Sequence, residues 1–431
     1  MSVSHITVLP SAARLMTSLR DIGYDLASAV ADLVDNAIDA NAEHVVLELV
    51  AAGADSWLRV ADDGLGMSRA RLEEAMRYGT DAAYAPRSLG HFGLGLKTAS
   101  LSQCRRLTVA SREREGSRTS IRRWDLDTVL QHDGWTLERV PAAVGDRRLT
   151  DPLRQTGRGT VVLWENLDRM LPRKPTAGIT ARVLATAERD VREHLAMVFH
   201  RFLSGEAYAG RSCLHLTMNG EAVEAWDPFA TDEPHTRALP TQELGYEDSD
   251  GRTITVAVRP FVLPAQELFS SAEAHRRAGG PQRWNRHQGF YVYRRDRLIQ
   301  AGGWCRLRTL DEHAKLARIA LELPVGDEDR FAVDVAKMRV TIPEELRPGL
   351  RAIASGAVAV AQERYRDHLD GADEEAPTIA ADSEAISISR DWPVIMSVVE
   401  DVLGHDPALR DRLLLGLSNG DPEEIATTPS G

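Results

Sequence analysis

Sulfur chemistry is nearly missing from this chain. Three cysteines in 431 residues, Cys104, Cys213 and Cys305, lie too far apart for a disulfide frame or a zinc knuckle. That usage suits a reducing compartment, so a cytoplasmic location is expected. No apolar run approaches the roughly 20 residues of a membrane span, so no membrane partner is expected. The opening residues, "MSVSHITVLPSAARLMTSL", lack the charged-then-apolar pattern of a secretory leader. Positive charge is also short: 52 Lys and Arg face 64 Asp and Glu, a net −12. The deficit is local, because residues 371–431 hold thirteen acids and three arginines, which leaves the rest near neutral. The global sign therefore excludes no anionic partner.

What is present is a periodic, globular pattern long enough for two or three domains. Ser18 to Ala40 reads as a helix, with Leu26, Val30, Leu33, Ala37 and Ile38 on one face. His44 to Val50 and Trp57 to Ala61 read as strands, Ser68 to Tyr78 and Leu94 to Gln103 as helices. Arg106 to Ser111, Thr119 to Trp124 and Gly159 to Trp164 read as further strands. This order predicts an α+β layer, with helices on one face of a mixed sheet, over residues 1–175. Thr176 to Phe202 is a long bridging helix that opens a second, strand-rich block over 176–370. There Asn219-Gly220 marks a hairpin, "GFYVYRRDRLIQ" is an extended run with a charged turn, and Pro343 to Leu369 returns to helix. Residues 371–431 read as an acidic linker with a short helical or disordered tail.

Four stretches carry chemistry. In "ADLVDNAIDA", Asp32 and Asn36 are four apart and share a helix face, a placement that suits a hydrated Mg²⁺ and an attacking water. In "VADDGLGMS", Asp62 ends a strand, where a carboxylate accepts the amino group of adenine, while Gly64 and Gly66 let backbone approach the base. In "SLGHFGLGLKTASLS", Gly90, Gly93 and Gly95 precede a helix and aim backbone N–H groups at phosphate. Gly90 and Gly95 have the P-loop gap, but Leu96 separates Gly95 from Lys97, so the phosphate site is of another kind. In "TGRGTVVLWENL", the strand starts at Gly159-Thr160 and offers a hydroxyl to the adenine edge.

Taken in order, these stretches resemble the GHKL ATPase superfamily, which includes gyrase B subunits, ninety-kilodalton heat-shock chaperones, histidine kinases and MutL proteins. Residues 18–168 are similar to its nucleotide-binding domain, the Bergerat fold. The resemblance implies that Asn36 holds Mg²⁺ against the phosphates of ATP, and that Asp62 holds adenine with Gly64, Gly66, Met67 and Thr160 around it. It makes the third stretch a lid in which Gly90, Gly93, Leu94, Gly95, Leu96, Lys97 and Thr98 close over the phosphates. The general base of the hydrolytic members is usually Glu. Here Asp32 stands in its place, one methylene shorter, which implies slow turnover.

The second block is similar to the α/β transducer domain of the superfamily, and "GFYVYRRDRLIQAGGW" looks most like MORC proteins and their bacterial relatives. A transducer lysine on the terminal phosphate is implied, with Lys337 in "RFAVDVAKMRVTIPEELR" as the choice and Lys315 as its competitor. ATP-dependent homodimerisation is implied through the segment Met1 to Leu19. Seven arginines between Arg276 and Arg297 interleave with Trp284, Phe290, Tyr291 and Tyr293, which suggests contact with DNA. The expected function is an Mg-ATP-hydrolysing clamp associated with DNA, with a partner enzyme supplying other activities. The alternatives are a protein-remodelling chaperone and a non-hydrolysing ATP-dependent interaction module.

Overall fold

The computed structural model describes residues 10–21, 23–79, 95–142, 146–171, 176–207, 213–247, 250–281, 284–331 and 340–374. Helices α1 (Ala12–Arg20) and α2 (Leu26–Asp39) replace the single helix read from the sequence. Gly23 takes a φ of +87° between them, and the Asp25 side chain caps α2 by accepting from Ser28 N at 2.7 Å. A hairpin follows, β1 (His44–Val50) and β2 (Trp57–Asp62), then α3 (Arg69–Ala75) and α4 (Gly95–Gln103). Strands β3 (Arg106–Arg112) and β4 (Ser120–Asp125) lead to α5 (Leu126–His132), β5 (Glu138–Val140), α6 (Arg147–Thr156) and β6 (Gly159–Glu165). The long α7 (Ala177–Val198) and short α8 (His200–Ser204) precede β7 (His215–Met218) and β8 (Glu221–Ala222), the hairpin expected at Asn219-Gly220.

These eight strands form one mixed sheet, ordered β5-β4-β3-β6-β2-β1-β7-β8, with β1 and β7 parallel and the other neighbours antiparallel. The sheet thus takes strands from beyond residue 175. Alternation sorts its faces. Leu58 and Val60 of β2 and Val162 and Trp164 of β6 join Val30, Val34 and Leu101 in a core under the helices. Ala61, Val161 and Leu163 point the other way, to Leu149 and Leu153 of α6. So α6 covers a face that the sequence pattern left bare. Its charged composition and Pro152 hid it as a helix.

The second sheet has the order β10-β11-β14-β12-β13, with β9 on β11. Its strands are β9 (Arg237–Ala238), β10 (Gln242–Glu247), β11 (Thr253–Val262), β12 (Gly289–Arg294), β13 (Arg297–Ala301) and β14 (Ala317–Glu322). α9 (Ala272–Ala278) lies between β11 and β12, and α10 (Arg347–Glu374) follows β14. β12 is buried on both sides: Phe290 and Val292 face Leu350, Ile353 and Ala357 of α10, while Tyr291 and Tyr293 face Trp226, Phe229 and Met197. α7 serves both cores, giving Leu184, Val191, Leu195 and Val198 to the first and Met197 to the other. Residues 1–371 form one compact unit. Among the described residues, no helix is long and apolar enough to cross a membrane.

Pro152 leaves the carbonyl of Arg148 without its helical donor. Arg59 of β2 supplies one, its Nη1 donating to Arg148 O at 2.8 Å. Arg59→Ala should therefore cost about 1 kcal/mol of unfolding free energy beyond its surface contacts. Pro152→Ala restores an N–H to that carbonyl, so a double-mutant cycle by urea denaturation should show the two changes to be non-additive.

Candidate nucleotide site

The floor of the site is made by three strand ends. Register pairs Asp62 of β2 with Thr160 of β6, and Thr160 with Ser111 of β3. Asp62 Oδ1 accepts from Gly64 N at 3.0 Å and Thr160 N at 3.2 Å. Ser111 Oγ accepts from Met67 N at 2.8 Å and donates to Gly159 O at 2.9 Å. With that proton committed, Thr160 Oγ1, 3.0 Å away, is the donor to Ser111 and keeps its own capacity to accept. Ser111 was not read as a site residue from the sequence. Its only signal was its place opposite Gly159-Thr160.

Two glycines of this floor are obligatory. A Cβ on Gly66, whose φ is +62°, would lie 1.9 Å from Arg112 O. One on Gly159, whose φ is +123°, would lie 1.9 Å from Asp62 O. The loop after Asp62 is thereby pressed against β3, with Leu65 N donating to Ala40 O at 2.8 Å. Burial pushes the Asp62 carboxyl up to about 7, against the two backbone donors, which lower it.

The wall is α2. Asn36 is exposed, while Asp32 and Asp35 on the same helix are buried. Tyr24 Oη donates to Asp32 Oδ2 at 2.8 Å. Burial first, then the Asp32 charge, hold the Tyr24 hydroxyl far above its usual range, so it stays a donor. α4 begins against the same carboxylate, since a Cβ on Gly95 would lie 3.2 Å from Asp32 Oδ2. Thr98, one turn on, is buried next to Tyr24. An exposed amide oxygen beside a buried carboxylate fits a magnesium ion that keeps most of its ligands as phosphate and water oxygens. Among the described residues, no group of three or more His, Cys, Asp or Glu could hold a metal by itself.

Lys97 is 2 % exposed, and its Nζ donates to Ala75 O at 2.9 Å, at the C-terminal end of α3. Burial lowers its pKa to about 8, and Glu74 opposes the shift. To reach a phosphate it must leave that carbonyl. Leu96 is partly buried on the core. Gly90, Gly93, Leu94 and Lys337 lie outside the described residues. Lys315 forms an ion pair with Glu312 three residues before it.

The Arg276–Arg297 stretch is not a continuous basic surface. Arg276, Arg277 and Arg286 are exposed, but Arg294 and Arg297 are buried, as are Phe290, Tyr291 and Tyr293. The physical reason is that β12 is covered on both faces, which keeps Phe290, Tyr291 and Tyr293 from stacking on a base. Arg297 Nε instead donates to Asp35 Oδ1 and Oδ2 at 2.8 and 2.9 Å. Positive charge collects elsewhere, in an open cleft of about 750 Å³ beside Met67. It is lined by Arg69, Arg112, Arg118, Arg122, Arg139 and Arg154 against Glu113. Glu73 is shared by three of these arginines, Arg69, Arg122 and Arg139.

Comparison with known proteins agrees with this geometry. Residues 24–160 match the family described as histidine kinase-, DNA gyrase B-, and HSP90-like ATPase. The ATPase morc-1 of Caenorhabditis elegans is 34% identical over 86 residues, 20% of this chain and 10% of that protein. The DNA mismatch repair protein MutL of Sphingopyxis alaskensis is 32% identical over 177 residues, 40% of this chain and 26% of that one. MutL of Agrobacterium fabrum is 27% identical over 199 residues, 45% and 29% of the two chains. The chain thus aligns with less than a third of the length of each of these relatives. A mixed sheet with its main helical layer on one face, Asp62 at a strand end and Asp32 and Asn36 on the helix beside it form a Bergerat fold, and residues 24–160 are similar to the histidine kinase-, DNA gyrase B- and HSP90-like ATPase family.

Proposed function

We propose that this protein is an Mg-ATP-hydrolysing clamp whose nucleotide state controls dimerisation and engagement of DNA. The observation that carries the reading is the meeting of Asp62, Thr160 and Ser111 at three strand ends with Asp32 and Asn36 on α2. Asp62 accepts the adenine amino group, and Thr160 meets the base edge. Asn36 holds magnesium, which neutralises charge on the phosphate oxygens when bound. Asp32 takes a proton from water as the water oxygen bonds to the terminal phosphorus and the bond to the ADP oxygen breaks. Tyr24 holds the shorter carboxylate in one orientation. Lys337 senses the terminal phosphate. The MutL relatives are named for DNA mismatch repair, and the arginine-rich cleft beside Met67 is the surface here that suits a phosphate backbone. The buried, Tyr24-bound state of Asp32 favours a second reading, a module that binds ATP and scarcely hydrolyses it.

ATP turnover by the purified protein decides between these two. Asp32→Asn and Asn36→Ala should each lower it by about 100-fold or more, and Tyr24→Phe by about tenfold. Wild-type turnover no higher than that of Asp32→Asn, with tight ATP binding intact, would establish the second reading.

Asp62 makes a prediction of opposite sign for binding and stability. Its folded pKa, about 7, lies above the ordinary carboxylate value, so its contribution to stability is full at low pH and is lost as pH rises through 7. Asp62→Asn keeps an acceptor for Gly64 N and Thr160 N and removes the partly buried charge. It should raise stability at pH 8 by about 2 kcal/mol, with a smaller gain at pH 5, while ATP affinity falls more than about tenfold. Thermal melts at both pH values and calorimetric titration with ATP check this.

For DNA, the triple variant Arg112→Ala, Arg118→Ala and Arg154→Ala should weaken binding of a fluorescent 20-base-pair duplex by about tenfold and flatten its salt dependence. Arg276→Ala with Arg277→Ala should have little effect. The reverse result would move the interface away from the cleft.

A further inference from the structure

The buried pair of Asp35 and Arg297 joins residues 262 positions apart, one on α2 and one on the second sheet. Side-chain exposure is 2% for Arg297 and 1% for Asp35. Asp35 lies next to Asn36 and one helical turn after Asp32, so Arg297 holds the helix that carries both groups of the reaction. The Arg297 guanidinium is 5.8 Å from the ring of Phe199, which follows α7, and its charge is felt at Tyr24, the partner of Asp32.

The hairpin behind Arg297 is unusually constrained. Arg294 pairs with Arg297 across a two-residue turn in which Arg295 and Asp296 both have positive φ, +52° and +70°. Such a turn favours Asn and Gly, and here non-glycine residues are held in it by contacts outside the hairpin. Asp296 accepts from Arg201 Nη1 at 3.3 Å, and Arg201 lies 3.5 Å over the Tyr293 ring. His200 Nε2 meets Tyr293 Oη at 2.9 Å. The hairpin is therefore clamped to α2 at Arg297 and to α8 at Arg201. A displacement of α2 cannot be absorbed at a loose turn.

We propose that Arg297 is a positioning residue for the ATPase centre: through Asp35 it ties the β12–β13 hairpin to the helix bearing Asp32 and Asn36, so that the second sheet sets their placement and follows their movement. The inference rests on the nucleotide reading above. It assigns Arg297 no contact with nucleotide. A guanidinium suits the task because its donors are fixed in one plane: the Nε–H is shared between both carboxylate oxygens while Nη1 donates to Leu298 O at 3.3 Å, so one rigid group ties Asp35 to the backbone of β13.

The test uses the full chain. Asp35→Ala with Arg297→Met removes both charges together, so neither is left buried alone, and a melting curve verifies folding. Affinity for Mg-AMP-PNP should stay within about threefold of wild type, while turnover at saturating ATP falls by about tenfold or more with KM little changed. Arg297→Lys should recover only part of that turnover. Hydrogen exchange supplies a readout independent of turnover. In wild type, AMP-PNP should protect both residues 26–39 and residues 289–301; in the double variant it should protect the first segment alone. A folded double variant with wild-type turnover and wild-type protection of the hairpin would overturn the proposal and leave the nucleotide reading intact. Failure of the wild type to bind AMP-PNP would overturn the nucleotide reading, and the positioning role with it.

Discussion

Helix α2 carries two carboxylates into the interior, and most of what surrounds it follows from the need to partner them. A buried ionised carboxylate costs far more than the packing around it returns unless hydrogen bonds or a countercharge compensate. Asp32 has the Tyr24 hydroxyl, and Asp35 has Arg297. Tyr24 stands just ahead of the cap of α2, so the turn between α1 and α2 is held where the first carboxylate requires it. Arg297 comes from the second sheet, so the countercharge of the second carboxylate is in place when that sheet is docked. One helix thus sets both the local path of the chain and the attachment of a distant sheet.

The opposite side of the site is governed by close approach. The strand ends at Asp62, Ser111 and Thr160 are locked by register, and the loops that leave them have no room for side chains at Gly66 and Gly159. The result is a floor whose polar groups point in set directions before any ligand arrives. Asp62 is held there by two backbone donors even though burial disfavours its charge. That conflict, a group kept where it is uncomfortable, is what a preformed ligand acceptor requires.

Much of this was legible in the sequence because it depends on short-range spacing. Asp32 and Asn36 on one helix face, Asp62 at a strand end with Gly64 and Gly66 after it, and the Gly159-Thr160 strand start all lie where the local patterns put them. The hairpins at Asn219-Gly220 and after Tyr293 were legible for the same reason. Tyr24 and Ser111 were not, because a lone tyrosine before a cap and a serine ending a strand look alike whether or not a neighbour makes them useful. α6 was hidden because its proline and its many charges break the helical signal, and the carbonyl that Pro152 leaves without a helical donor is met by Arg59 of β2.

The arginines between Arg276 and Arg297 show the limit most directly. Arginine alternating with tyrosine is written identically for a strand that meets a polyanion and for one that lies under a second layer. Local pattern determined most of the helices and strands, the turn glycines and the carboxylate and amide of the site, since those depend on neighbours within a few residues. What covers β12, which carboxylate Arg297 meets and where basic charge gathers are set by contacts between residues far apart in the chain, 262 positions for Arg297 and Asp35. Only the tertiary structure decides them, because the free energy of a buried charge depends on what is brought against it and not on what precedes it in the chain.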